Sequence, residues 1–472
     1  MKHPVLVLSL GSAVLAMAAL ALSAEAETKA QPNARLLAPT TDFSRPEQFE
    51  TQQGGTGTTL DRIDQSAFSH PSAMLTATQR AEFAQGNEVF DREWVAAPSS
   101  TIASDGLGPY FNARSCQGCH INGGRGHPPL DGDTSMVSML FALSDGQGAP
   151  DPVFGHQFQD QAIAGFTGEG TIRVVYESVR FTYPDGTNVD LRRPVYSTDA
   201  ALAAGVALNP RIAPQMIGLG LIEAIDQKDI LSRADPDDAD GDGISGRAHW
   251  LGDGALGRFG WKATTGSVME QSALAFFNDM SLSTWMFPAP HGDCTTAQET
   301  CRTAEHGDDD GLPEVDDGLL DSVSFYSANL AVPARRGVDD PRVLEGKALF
   351  YAAGCVSCHV PKHATGENTA PELRNQVIWP YSDFLLHDLG PGLADTTPTG
   401  DVAGSEWRTP PLWGIGMTAM VSGHTNFLHD GRARSLEEAI LWHGGEAESA
   451  RDSFAGFLKE HRASLLHFLN SL

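Results

Sequence analysis

Two pentapeptides of the form C-x-x-C-H stand far apart in the chain, Cys116-Gln-Gly-Cys119-His120 and Cys355-Val-Ser-Cys358-His359. Two thiols three positions apart can each add across a vinyl group of one porphyrin, and the histidine that follows is then held beneath the iron as an axial ligand. Zinc is the weaker reading, because a structural zinc site takes four ligands and neither copy has another cysteine close by. A thiol redox pair would leave the repeated histidine without a role. The recurrence favours two covalently bound c-type haems, tethered by Cys116, Cys119, Cys355 and Cys358, with His120 and His359 on iron.

The rest of the chain has to deliver and position these motifs. At 472 residues it is too long for one core, so two or three domains are expected. Met1-Lys2-His3 precedes an uncharged run from Pro4 to Leu22 and then Ser23-Ala24-Glu25-Ala26. That pattern predicts a signal peptide over 1–26, cleaved after Ala26, and delivery to the periplasm. An uncleaved anchor is the alternative, since the run approaches the length of a span. No later segment is apolar for long enough, so no membrane span is expected in the mature chain. Export suits covalent haem attachment, which takes place outside the cytoplasm. It also suits a local disulfide between the two remaining cysteines, Cys294 and Cys301. The formal net charge of -28 survives loss of the leader, because Lys2 and Glu25 cancel. Such a surface argues against nucleic acid or anionic membrane as partner and is compatible with a basic electron-carrier protein.

Residues 27–73 carry little apolar periodicity and read as an exposed lead-in. From Thr76 to Trp94, Phe83, Val89 and Phe90 recur at near-helical spacing. An aromatic precedes the first cysteine by five positions in both copies, Phe111 and Phe350, where a helix would set it against the porphyrin. The expectation is a mainly α protein with two cytochrome-c-like haem domains, 74–170 and 326–472, and a β-containing insert over 171–325. In the insert, Val179, Phe181 and Tyr183 alternate with polar residues, Pro184-Asp-Gly186 supplies a turn, and Val189 and Leu191 resume, as in a β-hairpin. A helix is expected from about Pro214 to Ile230. Asp238, Asp240 and Asp242, followed by Gly243, match the first half of a calcium loop, but His249 stands where the closing glutamate belongs. Calcium and a solvated acidic turn both remain open there. The run from Asp308 to Asp317 reads as solvated surface. Ser435-Leu-Glu-Glu438 has the form of a capping box, opening a helix that runs to about His443. A last helix would carry Phe454, Phe457, Leu458, Leu465, Phe468 and Leu469 on one face.

With these stretches in view, the chain from about Asp105 onward resembles the di-haem oxidoreductase (putative peroxidase) family and, more distantly, bacterial di-haem cytochrome c peroxidases. The marks are Gly108-Pro-Tyr-Phe-Asn-Ala-Arg-Ser-Cys116, Gly155-His-Gln-Phe-Gln-Asp160, Asp240-Gly-Asp-Gly-Ile-Ser-Gly-Arg247, Gly257-Arg-Phe-Gly-Trp-Lys-Ala263, Leu330-Ala-Val-Pro-Ala-Arg-Arg336, Leu386-His-Asp-Leu-Gly390 and Glu406-Trp-Arg-Thr-Pro-Pro-Leu-Trp-Gly414. In the peroxidases a His-Asp-Gly-Arg segment, here His429 to Arg432, is followed by a leucine, here Leu436. The second axial ligand of the C-terminal haem stands seven positions later. The resemblance implies that His443 takes that place, where those peroxidases carry methionine. Imidazole in place of a thioether lowers a haem's reduction potential, so this haem departs from a high-potential entry point. A histidine packed at a helix end is the plainer alternative.

For the first haem, His127 and His156 are candidates for the distal face, each also readable as an ordinary surface histidine. Gln157, Gln159, Asp160 and Glu169 lie in the stretch that resembles the peroxidase distal segment. An acid or amide there can move a proton between the oxygens of peroxide. A hydrogen-bonded loop is the alternative for each. His387 and Arg408 are candidates for lining the second haem or binding its propionates, which suit a guanidinium fork. Trp261, Trp407 and Trp413 are candidates for an aromatic bridge, or simply core.

The preferred reading is electron transfer coupled to reduction of hydrogen peroxide. The His359/His443 haem would be the relay and the His120 haem the reaction site, with a small cytochrome or cupredoxin as electron donor. A non-catalytic di-haem electron carrier and a maturation enzyme that oxidises a partner protein are the alternatives.

Overall fold

Local signals account for the first helix. In the computed structural model, which describes residues 36–60, 63–134, 138–308, 311–367 and 369–472, Thr76 caps helix α1, Ala77–Asp91. Its hydroxyl accepts from the Gln79 amide while the Gln79 side chain accepts from the Thr76 amide. Two free amides of the first turn are thereby satisfied reciprocally. The remaining longer helices are α2 (Val268–Met280), α3 (Asp317–Ala328), α4 (Pro341–Ala352), α5 (Leu436–Trp442), α6 (Glu448–Gly456) and α7 (Lys459–Ser471).

Two helix pairs carry the motifs, and they are built alike. Helix α1 packs on α3, and α4 packs on α7. Each pair crosses at a glycine: a methyl group on Gly86 would lie 2.1 Å from the Ser322 carbonyl oxygen, and one on Gly346 would lie 2.0 Å from that of Ser464. Four residues on, Phe90 meets Tyr326 at 5.1 Å and Phe350 meets Phe468 at 5.2 Å between ring centres. The pattern Gly-x-x-x-Phe against Ser-x-x-x-aromatic thus occurs twice.

Strands occur among the described residues as five two-stranded antiparallel sheets. β1 (Met139–Ser144) pairs with β4 (Ala207–Ile212). β2 (Ile172–Thr182) and β3 (Asn188–Thr198) form the expected hairpin, with Thr182 opposite Asn188 across the Pro184–Gly186 turn. β5 (Leu386–Asp388) pairs with β6 (Glu406–Arg408). The hairpin is longer than the alternation suggested, and its tip reaches α5: the Tyr183 hydroxyl donates to Glu437 at 2.7 Å, and the Arg192 amide to Glu438 at 2.5 Å.

Several expectations need correction. The fold is mixed rather than mainly α, with 29% helix and 15% strand. The chain's 49 glycines and 28 prolines interrupt both kinds of element and leave long connecting loops. The helix expected from Pro214 to Ile230 is two single turns, Leu219–Glu223 and Gln227–Leu231, behind Gly218 at φ 74°. The expected last helix breaks at Phe457 and Leu458 into α6 and α7, and Leu458 is exposed. Ser435 does cap α5, accepting from the Glu438 amide at 3.1 Å. The Glu438 carboxylate, however, turns to the Arg434 and Arg192 amides instead of closing the box. Part of the supposed lead-in is buried, as Glu50, Gln53 and Phe68 show. One residue of the acidic run, Asp316, caps α3 by accepting from the Leu319 amide.

Cys294 and Cys301 are joined as a disulfide, as expected. Residues Asp42–Leu472 form one compact unit. The leader expected over 1–26 lies outside the described residues. Among those described, no helix is long and apolar enough to cross a membrane.

Candidate functional site

Ser115 caps a single helical turn, Cys116–Cys119, by accepting from the Gly118 amide at 3.2 Å. A turn this short has no stability of its own, so the cap fixes it. His120 follows, and its Nδ1 lies 2.8 Å from the Pro214 carbonyl oxygen. In the second motif Gly354, at φ 85°, opens the tight turn Cys355–Ser357, and His359 Nδ1 lies 2.9 Å from the Tyr381 carbonyl oxygen. A carbonyl only accepts, so each Nδ1 carries the proton and donates. Each Nε2 keeps its lone pair, as an iron ligand must. Burial pushes the pKa of both histidines down to about 4, which keeps them neutral. Phe90 stands 6.3 Å from the His120 ring at 50°, and Phe350 stands 6.3 Å from the His359 ring at 51°. The counterpart of Phe350 is therefore Phe90 from α1, not Phe111, which sits in a two-residue strand.

The residues present fit a c-type haem at each motif. Cys116, Cys119, Cys355 and Cys358 are unpaired, while the other two cysteines are bonded to each other. Burial pushes the thiols of Cys116, Cys119 and Cys355 up to about 12. A raised pKa disfavours the thiolate that zinc would need. Cys116 packs on the cluster of Phe90, Phe111 and Tyr326, and Cys355 on that of Phe350, Trp379 and Trp442. In the second cluster the Trp379 and Trp442 Nε1 donors are buried without a partner. Arg408, buried, donates to the carbonyls of Gly260 at 2.8 Å and Thr409 at 3.2 Å. It makes no ion pair with a carboxylate among the described residues.

His443 closes α5, and its Nδ1 donates to the Ala439 carbonyl at 2.8 Å, again leaving Nε2 for another partner. Burial pushes its pKa down. It lies near enough to His359 that a charge on it would depress the His359 pKa. His387 has no nitrogen to spare, since Nε2 pairs with Asp383 at 2.9 Å and Nδ1 with Glu446 at 2.7 Å. Burial opposes its charge, but Asp383, Cys358 and Glu446 more than offset this and raise its pKa.

Around the first motif the structure gathers a polar network. Gln157 Nε2 donates to Asp279 Oδ1 at 2.8 Å and to Asn112 Oδ1 at 2.9 Å, and Asn112 Nδ2 donates to Asp160 Oδ1 at 2.9 Å. Burial pushes the Asp160 and Asp279 carboxyls up to about 6. The Asp279 charge acts on both Cys116 and Cys119, and that of Asp160 on Cys119. Gln157 and Asp160 were expected here, whereas Asn112 and Asp279 were not singled out. Asn112 lies four residues before Cys116 and could have been read from the sequence. Asp279, near the end of the amphipathic α2, has no spacing signal.

Gln159 Nε2 donates to the Asn278 carbonyl at 2.6 Å, which Gln157 Nε2 also approaches, while the Gln159 backbone leads to Glu169. Glu169 accepts from the Gln159 amide at 2.7 Å and from Gln298 Nε2 at 2.6 Å, beside the disulfide loop. Burial pushes it up to about 8. His156 is tied to Asp293 at 3.0 Å on the surface, and the His127 ring stands against that of His424. Among the tryptophans, Trp407 is stacked on His429 at 3.7 Å, with Lys262 Nζ 3.6 Å from its ring centre. Trp413 is fully buried, and Trp261 Nε1 donates to the Ile212 carbonyl.

The acidic loop brings together Asp235, Asp238 and Asp240, not Asp238, Asp240 and Asp242. Asp242 accepts from the Ile244 amide and Asp238 from the Gly243 amide, so these carboxylates hold their own loop. Calcium finds no support there beyond the clustering.

With the two histidine pockets described, comparison with known families becomes informative. The model of the family described as "Di-haem oxidoreductase, putative peroxidase" matches residues 49–140 and 154–472. The chain belongs to that family. The match spans both motifs, α1 through α7 and the Gln157–Asp160 segment. No curated protein matches the chain.

Proposed function

We propose that the protein is an exported di-haem peroxidase in which the two motifs divide the labour. Cys116 and Cys119 would hold one haem over His120, and Cys355 and Cys358 the other over His359, with His443 as its second axial ligand and Arg408 at its propionates. When bound, the two haems supply the two electrons that peroxide reduction requires. The observation that carries the reading is an asymmetry between otherwise matching pockets. The second has an additional buried imidazole, His443, whereas the first has two carboxyl groups of raised pKa on one amide network.

The chain's own part in the chemistry follows from that network. Gln157 and Asn112 donate to Oδ1 of Asp279 and Asp160 respectively. Oδ2 of each is left to carry the proton, and a pKa near 6 lets it be released and recovered close to neutral pH. Such an acid protonates the departing oxygen of peroxide, and the Gln157 amide keeps the carboxyl in place. The formal charge of -28 favours a small basic cytochrome or cupredoxin as electron donor. Export to the periplasm and cleavage after Ala26 belong to the same proposal.

The test is stopped-flow mixing of the reduced holoprotein with hydrogen peroxide. A spectral change within seconds is expected, slowed about 100-fold in Asp279→Asn, the low end for loss of a positioned acid. No change in the wild type removes the peroxidase reading. Two low-spin haems by electron paramagnetic resonance would favour the non-catalytic carrier.

A further inference from the structure

Arg125 stands five residues after His120 and is 6% exposed, with its Nε fully buried and unpartnered. Among the described residues its guanidinium has one protein acceptor, the Leu428 carbonyl at 3.3 Å, and lies over the rings of Trp261 at 5.6 Å and Phe427 at 6.0 Å. No carboxylate pairs with it among the described residues. The residue is held firmly: its amide donates to Ser422 Oγ at 2.9 Å, and its carbonyl accepts from His424 Nε2 at 3.0 Å. Burial pushes its pKa down to about 10, which leaves it charged at neutral pH.

The second cation on this spot sharpens the problem. Arg408 donates from its amide to the Trp261 carbonyl at 3.0 Å and from Nε to that of Gly260 at 2.8 Å. Both buried arginines therefore touch Gly260-Trp261, Arg125 at the ring and Arg408 at the carbonyls, and among the described residues neither forms an ion pair with an acid. Asp383 acts on Arg408 only at longer range and is itself paired with His387. Uncompensated buried charge is costly enough that such an arrangement calls for an anion. Arg258 shows the contrast, since its buried guanidinium is satisfied by the carbonyls of Ile222, Glu223 and Ile225.

The shape of a c-type haem says which anion suits. Its propionates project from the edge opposite the thioether bonds. Asp279 acts on Cys116 and Cys119, whereas Arg125 lies over Trp261, whose Nε1 donates to the Ile212 carbonyl two residues before the Pro214 that holds His120. Arg125 is joined to His120 by a short loop closed by Gly123 N to His120 O and Gly124 N to Ile121 O, each 2.9 Å. We propose that Arg125 binds a propionate carboxylate of the haem carried by Cys116 and Cys119. This rests on the di-haem reading above. A diffusible carboxylate is the other source of the same chemistry.

Potentiometric titration of the holoprotein in carboxylate-free buffer, with haem counted as the pyridine haemochrome, separates the cases. Removing a positive charge beside a haem favours its ferric state, so Arg125→Gln should lower one midpoint potential. The expected size is about tenfold in the reduction equilibrium, or about 59 mV for one electron. That haem should be the one whose spin state is unchanged in His443→Ala, and Arg125→Lys should recover most of the shift. Two haems per chain with both potentials unchanged in Arg125→Gln overturns the proposal. A shift in the other haem, or one that appears only after sodium formate is added, overturns it as well. A wild type with fewer than two haems would instead sink the di-haem reading.

Discussion

His443 is the residue on which the division of labour turns, and its setting is more informative than its identity. A histidine merely packed at a helix end could face either way. This one donates Nδ1 to the Ala439 carbonyl, as His120 and His359 donate to theirs, and so presents Nε2. Three imidazoles oriented by the same device are what axial ligation requires. His443→Met should leave both haems attached and raise one midpoint potential, because a thioether favours the ferrous state. His443→Ala should convert one haem from low to high spin in the electron paramagnetic resonance spectrum. If the alanine variant keeps two unchanged haem signals, His443 is only packing, and the first haem loses its claim to be the distinctive one.

At the scale of elements the two halves share one construction, and it was only partly legible in the sequence. The C-x-x-C-H motifs and the cap at Ser435 are local, so spacing alone revealed them; the cap at Thr76 is equally local but shows only in the structure. The crossings at Gly86 and Gly346 depend on partners more than a hundred residues away in sequence. Their repetition shows only when Gly86-x-x-x-Phe90 is laid over Gly346-x-x-x-Phe350. The Pro214–Ile230 stretch misleads because apolar residues recur there while Gly218, at φ 74°, takes the chain out of the helical conformation. Asp279 was hidden because an acid at the end of an amphipathic helix looks like solvated surface until the fold brings Gln157 to it. The glycine crossings are testable. A methyl group at either would sit about 2 Å from a backbone oxygen, and the helices would have to separate, at a cost of about 1–3 kcal/mol for overpacking. Gly86→Ala and Gly346→Ala should both lower the unfolding midpoint in urea. Helix propensity alone would make each substitution stabilising by about 1 kcal/mol, so the sign of the change decides whether the close approach is real.

The molecule as a whole is tied together at a place the sequence marked as peripheral. Glu50 is 2% exposed, and its carboxylate is shared between Arg335 and Lys347, the latter at 2.9 Å. Lys347 also meets Glu47 at 2.7 Å, and Lys362 meets Glu47 as well. Arg335 in turn donates to Ser471 Oγ at 3.1 Å near the C-terminus. The segment before the first haem motif is thereby fastened to α4, which carries Phe350, and to the chain's last residues. Burial would raise the Glu50 pKa, but Arg335 and Lys347 more than offset this and lower it. An acid depressed in the folded state contributes stability above its unfolded value of about 4.3, and the contribution is lost as pH falls through the folded value. Acid also relieves repulsion in a chain of formal charge -28, which works in the opposite direction and blurs the wild-type profile. The difference between Glu50→Gln and wild type isolates the buried group. That difference should be about 3 kcal/mol near neutral pH, as for breaking a buried ion pair, and should shrink toward pH 3. Thermal unfolding of both proteins from pH 3 to 7 measures it, and a difference that stays constant over that range would mean that Glu50 is held by packing and not by its charge.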